Sequence, residues 1–226
     1  MCYFSVLFIF LSSVYFFPNI IAHVIEQKIC TACYTMLLTS VGRTVAVFPY
    51  CGFHLRIITI ICGNFDFQML VVFRNPKDTV VSYYHFMNTN PVLPNAKSWD
   101  SFFTDFMEGE VAWGSYFNHA LAWEKLMDNP NILMATYEQM KENLGQGVQQ
   151  ISKFFDFSLT EEQVQTIAGS KNTHGKHGNV FFRKGEVGDW KNHLSEAQSK
   201  QMDEKFEKHL AHTKLGAKLK YDIYCK

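Results

Sequence analysis

The stretch of sequence that most constrains the fold is a short apolar run that ends in a turn. Met69–Phe73 is continuously apolar, and the turn Arg74-Asn75-Pro76-Lys77-Asp78 follows it directly. A run of this length beside a turn is typical of a strand buried on both faces of a parallel sheet. Pro76 suits the first turn of a helix, and Asp78 suits the positive end of its dipole. The sequence therefore predicts a strand, a tight turn and then a helix continuing through 79–87.

A second unit of the same kind lies further along the chain. Ile132–Tyr137 reads as another buried strand, and a polar helix is predicted over 138–143. Tyr137 then occupies the same topological place as Arg74, at the carboxyl end of a strand. Ligands of open α/β sheets bind beyond the carboxyl ends of the strands, so both residues are candidates for a site.

Arg74 and Ser82 have two interpretations, and the local pattern does not choose between them. An Arg beside a helix N-terminus can pair with a phosphate, and Ser82, further along the helix, could add a hydroxyl donor. Alternatively, Arg74 pairs with Asp78 and Ser82 faces solvent. Tyr137 likewise either lines a nucleotide site or covers the sheet edge.

A third candidate stretch combines cations with glycine. Phe181-Phe182-Arg183-Lys184-Gly185 places two adjacent cations before a glycine, whose backbone N–H can approach an anion closely. This pattern predicts a phosphate grip, and a charged surface turn is the alternative. Neither His174 nor His177 in the preceding polar loop has the further ligands that a metal site needs, so no metal is expected.

Composition excludes some classes of function. The 226 residues include 21 basic and 21 acidic side chains, so neither a disordered chain nor a nucleic-acid binder working through bulk charge is expected. Any bound anion must be held by a few placed groups.

The charged residues are unevenly distributed along the chain, because residues 1–73 hold only five of them. The chain is therefore divided into an atypical apolar segment, 1–68, and an organised domain, 69–226.

The apolar segment leaves several interpretations open. The run 3–17 could be a signal peptide, but it lacks a positively charged start; it could be a membrane helix, but Pro18 interrupts it; or it packs as a buried strand or helix. Thr44–Phe48 and Leu55–Ile61 could form strands. Cys30 and Cys33 have CxxC spacing, yet no second pair completes a zinc site, which favours buried thiols.

Capping signals predict several helices in the organised domain. Ser98 is a candidate N-cap, and the pairs Thr160–Gln163 and Ser195–Gln198 have capping-box spacing. A further helix is predicted over Trp113–Met127. Within it, His119 is expected at the surface or in a structural role rather than as a base.

Three motifs taken together resemble the cytosolic sulfotransferase family. They are MLVVFRNPKDTVVSYYHF from Met69, TYEQMKENL from Thr136 and FFRKGEVGDWK from Phe181. The similarity runs from about Met69 to Tyr221 and is greatest to the sixth vertebrate family. It implies an α/β fold with a parallel sheet flanked by helices, similar to P-loop NTPases. It also implies a cytoplasmic protein that transfers a sulfuryl group from 3′-phosphoadenylyl sulfate to a hydroxyl or amine of a small-molecule acceptor, without a metal.

The resemblance also assigns residues to the nucleotide. Two groups hold the 3′-phosphate, one around Arg74 and one around Arg183, and Tyr137 lies near the adenine. The cofactor-binding residues implied are Arg74, Ser82, Tyr137, Phe181, Phe182, Arg183, Lys184 and Gly185.

Parts of the family pattern have no counterpart here. Residues 1–73 contain no match to the family's TYPKSGTTW-type phosphosulfate loop or to its Thr-His pair, so no catalytic residue is assigned. We expect a truncated or alternatively spliced form with impaired transfer. The alternatives are an inactive nucleotide- or partner-binding isoform and a membrane-anchored protein. The family dimer motif KxxxTVxxxE is degraded over Lys191–Lys200. A homodimer is therefore possible, but this motif does not support it.

Overall fold

The computed structural model describes residues 5–11, 43–49, 67–89, 95–112, 114–169 and 185–226. Within these ranges the strands are β1 (Ser5–Leu11), β2 (Arg43–Pro49), β3 (Phe67–Phe73) and β4 (Ile132–Thr136). They form one sheet in the order β2-β1-β3-β4, and every pairing is parallel. The predicted parallel sheet is confirmed.

The register of β3 and β4 brings their carboxyl ends level. Met69 pairs with Ile132 at one end, and Phe73 pairs with Thr136 at the other. Both strands were predicted, although β4 ends one residue early because Tyr137 already begins a helix. The residues that follow the two strands therefore start from adjacent points on one edge of the sheet.

The apolar segment contributes two strands. β1 lies inside the run 3–17, and β2 contains Thr44–Phe48, as the strand interpretations predicted. Leu55–Ile61, Cys30 and Cys33 lie outside the described residues. In the part of the chain that the structure describes, no helix has the length and apolar character needed to cross a membrane.

The other regular elements of the described chain are helices. Their bounds are α1 Pro76–Thr89, α2 Trp99–Glu108, α3 Tyr116–Glu124, α4 Tyr137–Glu142, α5 Leu144–Phe154, α6 Glu161–Gly169, a 3₁₀ helix Asp189–Asn192, α7 Glu196–His209, α8 Lys214–Lys218 and α9 Tyr221–Tyr224.

The predicted caps explain where several helices begin. Ser98 accepts a hydrogen bond from the N–H of Ser101, and reciprocal capping-box bonds join Thr160 with Gln163 and Ser195 with Gln198. The helix predicted over Trp113–Met127 is shorter than expected. It begins only at Tyr116, because Gly114 has a positive φ of 76° and Ser115 acts as the N-cap.

Alternation along β3 divides the core into two layers. Met69, Val71 and Phe73 face one side of the sheet, where they pack with α1, α2, α3 and α7. Leu70 and Val72 face the other side, against α4, α5 and α6. Successive side chains of a strand point to opposite faces, so the continuous apolar run Met69–Phe73 needs helices on both faces of the sheet. Each fully buried side chain of this size contributes about 1.5–3 kcal/mol.

His119 is part of the first core layer. Its ring lies 5.8 Å from that of Phe73 and 6.2 Å from that of Trp123, measured between centroids. Of the two positions expected for this residue, surface or structural, the structure shows the structural one, because α3 turns this face toward the sheet. Burial lowers the pKa of His119 to about 3, so the imidazole is neutral at physiological pH.

Candidate functional site

Arg74 and Tyr137 meet at the carboxyl edge of the sheet. The guanidinium carbon of Arg74 lies 4.5 Å from the centroid of the Tyr137 ring. Arg74 directly follows Phe73, and Tyr137 directly follows Thr136, the partner of Phe73 in the register. Both side chains are buried. A guanidinium over an aromatic face gains more when it is desolvated, so the pair joins the ends of the two strands.

The side chain of Arg74 is oriented by two further contacts. Its Nη2 donates a hydrogen bond of 2.7 Å to the carbonyl oxygen of Glu186 and lies 3.8 Å from Oδ2 of Asp78. Its own carbonyl oxygen accepts a hydrogen bond of 2.7 Å from the hydroxyl of Tyr116. The Arg74–Asp78 ion pair, which the sequence offered as the alternative to phosphate binding, therefore forms, at the sheet edge where a ligand site was expected.

Asp78 organises the segment that follows Gly185. Its two carboxylate oxygens accept hydrogen bonds from the N–H of Gly188 at 2.8 Å and of Trp190 at 3.0 Å. The Asn75 amide donates a third, at 2.8 Å. Hydrogen bonds to a carboxylate are among the stronger ones in proteins. The sequence assigned Asp78 to the helix dipole or to a pair with Arg74, and nothing in its local pattern pointed to partners more than a hundred residues away in the chain.

Gly185 passes close to Tyr137. Its φ is +70°, a conformation that favours glycine, and a Cβ added to it would lie 4.0 Å from the Tyr137 hydroxyl oxygen. We call residues 185–190 the Gly185–Trp190 turn. Burial raises the pKa of Tyr137 to about 12, so the phenol is protonated at neutral pH. Arg74, Tyr137 and Gly185 thus surround one point on the sheet edge.

Glu138 joins the two strand ends from beneath the site. Its Oε1 accepts hydrogen bonds from the backbone N–H of Asn75 at 2.9 Å and from the Asn75 side-chain amide at 2.8 Å. The carboxyl is fully buried, and this burial raises its pKa. Sequence reasoning missed Glu138, because a glutamate in the first turn of a helix is ordinarily a solvent-exposed dipole partner.

The other predicted site residues are only partly accounted for. Ser82 lies on α1 one helical turn after Asp78; its side chain is half-buried and makes no hydrogen bond with the described residues. Phe181, Phe182, Arg183 and Lys184 lie outside the described residues, immediately before Gly185. In the described ranges no three His, Cys, Asp or Glu side chains are grouped as metal ligands.

Comparison with known protein families gives one match along most of the chain. The sulfotransferase domain family matches residues 55–214. The match begins upstream of Met69, so the similarity extends further toward the start of the sequence than the motifs indicated.

Known relatives give the same family. Sulfotransferase 6B1 of Danio rerio is 64% identical over 168 residues, which cover 70% of this chain and 57% of the relative. Sulfotransferase 6B1 of Homo sapiens is 53% identical over 168 residues, with 70% and 55% coverage. The chain thus spans a little over half the length of these relatives.

Solved structures support the same fold. Mouse sulfotransferase SULT7A1 complexed with PAP superposes with a TM-score of 0.77 and 26% identity, covering 96% of this chain and 89% of that one. Retinol dehydratase in complex with androsterone and inactive cofactor PAP superposes with a TM-score of 0.63 at 22% identity, over 79% of this chain and 56% of that one. At that identity the second likeness shows the fold alone. Motifs, sheet topology and relatives agree: this chain belongs to the sulfotransferase family.

Proposed function

We propose that the chain binds 3′-phosphoadenylyl sulfate at the carboxyl ends of β3 and β4. The reaction is transfer of the sulfuryl group to a hydroxyl or amine of a small-molecule acceptor. The observation that carries the proposal is the buried Arg74 guanidinium, which lies over Tyr137 and beside the Gly185–Trp190 turn. The family match and the PAP complex of mouse SULT7A1 support it.

The residues present fit the nucleotide half of this molecule. Arg74 supplies a cation at the edge of the sheet, and guanidinium groups pair well with phosphate oxygens. Gly185 leaves room beside the Tyr137 hydroxyl, because it carries no side chain. Because the protein is neutral overall, recognition of an anion depends on such local charge. The residues proposed to hold the nucleotide are Arg74, Ser82, Tyr137, Phe181, Phe182, Arg183, Lys184 and Gly185.

The reacting half of the site has no assigned residues in this sequence. Residues 1–73 contain no match to the family's phosphosulfate loop or to its Thr-His pair. A missing donor to a developing charge costs about 10²–10³-fold in rate, and a missing general base about 10²–10⁴-fold. We therefore expect slow transfer by this 226-residue chain. The same observation favours a second candidate function, binding of the nucleotide without turnover.

Two further parts of the proposal concern location and assembly. We expect a cytoplasmic protein, because the three sequence motifs resemble those of the cytosolic sulfotransferases. Fractionation of a tagged protein into the membrane pellet after alkaline extraction would contradict this. We expect dimerisation to be weak, because the segment Lys191–Lys200 departs from the family dimer motif. Sedimentation of the protein as a stable dimer at micromolar concentration would contradict the second expectation.

Calorimetric titration of the purified chain tests nucleotide binding. Adenosine 3′,5′-bisphosphate is expected to bind at least tenfold more tightly than adenosine 5′-phosphate, because only the first presents a 3′-phosphate to the proposed cations. Equal affinities would remove the assignment.

Transfer of radiolabelled sulfate from 3′-phosphoadenylyl sulfate to a panel of phenols and steroids then separates the two candidate functions. Turnover equal to that of a full-length family member would contradict the expected impairment.

A further inference from the structure

Residues near the end of the sequence connect the two sides of the proposed nucleotide site. One side is α4, which begins at Tyr137. The other side is the Gly185–Trp190 turn, which continues into the 3₁₀ helix. Tyr224, the last residue of α9, contacts both: its hydroxyl donates a hydrogen bond to Oε1 of Glu142, at the end of α4, and its carbonyl oxygen accepts one of 2.9 Å from Nε1 of Trp190.

Neighbouring contacts hold this connection in place. Lys77, buried on α1, donates a hydrogen bond of 2.7 Å to the carbonyl oxygen of Cys225, and its ammonium lies 4.3 Å from the Trp190 ring centroid. The same ammonium also binds Ser199 and Asp203 at 2.7 Å each. A buried ammonium requires such partners, because its desolvation is costly. Tyr224 is therefore attached to a fixed part of the core.

The position of Trp190 matters because of what precedes it. Its backbone N–H and that of Gly188 bind the carboxylate of Asp78, and the carbonyl of Glu186 accepts the Arg74 guanidinium. The segment is thus held from α1 on one side and through the Trp190 indole on the other. A shift of the indole would move the glycine that lies beside the Tyr137 hydroxyl.

We propose that Tyr224 is a positioning residue, which sets the Gly185–Trp190 turn against the helix that begins at Tyr137. Its two hydrogen bonds act in series, so breaking either one weakens the same connection. An exposed ion pair of 3.5 Å between Lys220 and Glu142 also joins the two helices, but exposed pairs contribute little. The consequence for nucleotide affinity rests on the proposed function, whereas the consequence for the turn itself does not.

Two variants break the connection at different bonds. Tyr224→Phe removes the hydroxyl that binds Glu142, and Trp190→Phe removes the indole N–H while keeping an aromatic ring beside Lys77. Each has a matched control elsewhere. Gln149→Ala removes another exposed hydrogen bond to a glutamate, Glu161, and Trp99→Phe removes another indole hydrogen bond, to Gln198.

Hydrogen exchange of the Gly188 and Trp190 amides is the first readout. Each single variant is expected to speed exchange by about threefold, which corresponds to the net free energy of one hydrogen bond. The double variant is expected to speed exchange by no more than the larger of the two single variants does. The controls are expected to leave these amides unchanged. Unaltered exchange in both single variants, additive effects in the double variant, or the same acceleration in the controls would overturn the proposal.

Nucleotide affinity is the second readout. Tyr224→Phe and Trp190→Phe are expected to weaken the binding of adenosine 3′,5′-bisphosphate by about threefold. The binding of adenosine 5′-phosphate should weaken less, because only the contacts to the 3′-phosphate depend on the position of the turn. Faster exchange with equal losses for both nucleotides would overturn this part of the proposal. If the wild-type protein binds both nucleotides equally well, that result contradicts the proposed function and not the role of Tyr224. The hydrogen-exchange measurement still tests that role.

Discussion

The guanidinium of Arg74 lies over the ring of Tyr137, 4.5 Å from its centroid. The two residues are 63 positions apart in sequence, yet each is the first residue after a strand, and those strands end side by side. The parallel register therefore creates the contact without any local sequence signal joining the two residues. It also places a cation and an aromatic face together where ligands of open α/β sheets bind.

Gly185→Ala is expected to weaken nucleotide binding through the backbone rather than through a clash. The φ of +70° is unfavourable for alanine by about 1–2 kcal/mol, whereas among the described residues the added Cβ would meet only the Tyr137 hydroxyl oxygen, at 4.0 Å. Gly114→Ala is the matched control, because Gly114 has a φ of +76° and no atom of the described residues lies within 4 Å of an added Cβ.

Urea denaturation and calorimetry separate the two glycine variants. Both should lose about 1–2 kcal/mol of unfolding free energy, and only Gly185→Ala should lose affinity for adenosine 3′,5′-bisphosphate. Equal affinity in the two variants would place the turn outside the binding site.

Ser82→Ala is expected to affect binding without affecting stability. The half-buried hydroxyl makes no hydrogen bond to the described residues, so its removal should change the unfolding free energy by less than about 0.5 kcal/mol. If the hydroxyl meets a 3′-phosphate, affinity for the bisphosphate should fall by about 10-fold or more. The control is Thr89→Ala on the same helix, whose hydroxyl donates, among the described residues, to carbonyls of that helix alone. Equal affinities of the two variants would leave the solvent-facing interpretation of Ser82.

His119 should make the stability of the protein depend on pH. Its pKa is about 3 in the folded protein against 6.5 for an ordinary histidine. Between these two pKa values the unfolded state binds more protons than the folded state. The contribution of the neutral His119 imidazole to stability is therefore complete above about pH 6.5 and is lost as the pH falls toward 3. The slope contributed is at most about 1.4 kcal/mol per pH unit.

Denaturant unfolding across this pH range measures that slope. His119→Gln should reduce the loss of stability on acidification, whereas His212→Gln, at an exposed position, should leave it unchanged. An identical pH dependence in wild type and His119→Gln would show that the imidazole does not remain neutral in the folded protein.

Local sequence signals predicted the strands and helices of this fold well, but they did not predict the contacts between residues far apart in the chain. The apolar run at Met69–Phe73 and the capping residues Ser98 and Ser195 act within a few positions, so their strand and helices follow from sequence. Asp78 bonds to amides more than a hundred residues away, and Glu138 bonds to Asn75 across the sheet. Such partners depend on which elements the core brings together, which no local pattern specifies.

The central claim is that Arg74 meets the 3′-phosphate of a nucleotide, and a thermodynamic cycle tests it directly. Calorimetry gives the affinities of wild type and Arg74→Gln for adenosine 3′,5′-bisphosphate and for adenosine 5′-phosphate, with folding of the variant checked by circular dichroism. Loss of a charged hydrogen bond should weaken the bisphosphate by about 10-fold or more and the monophosphate by less than about twofold. A loss of the same size for both nucleotides would contradict the account.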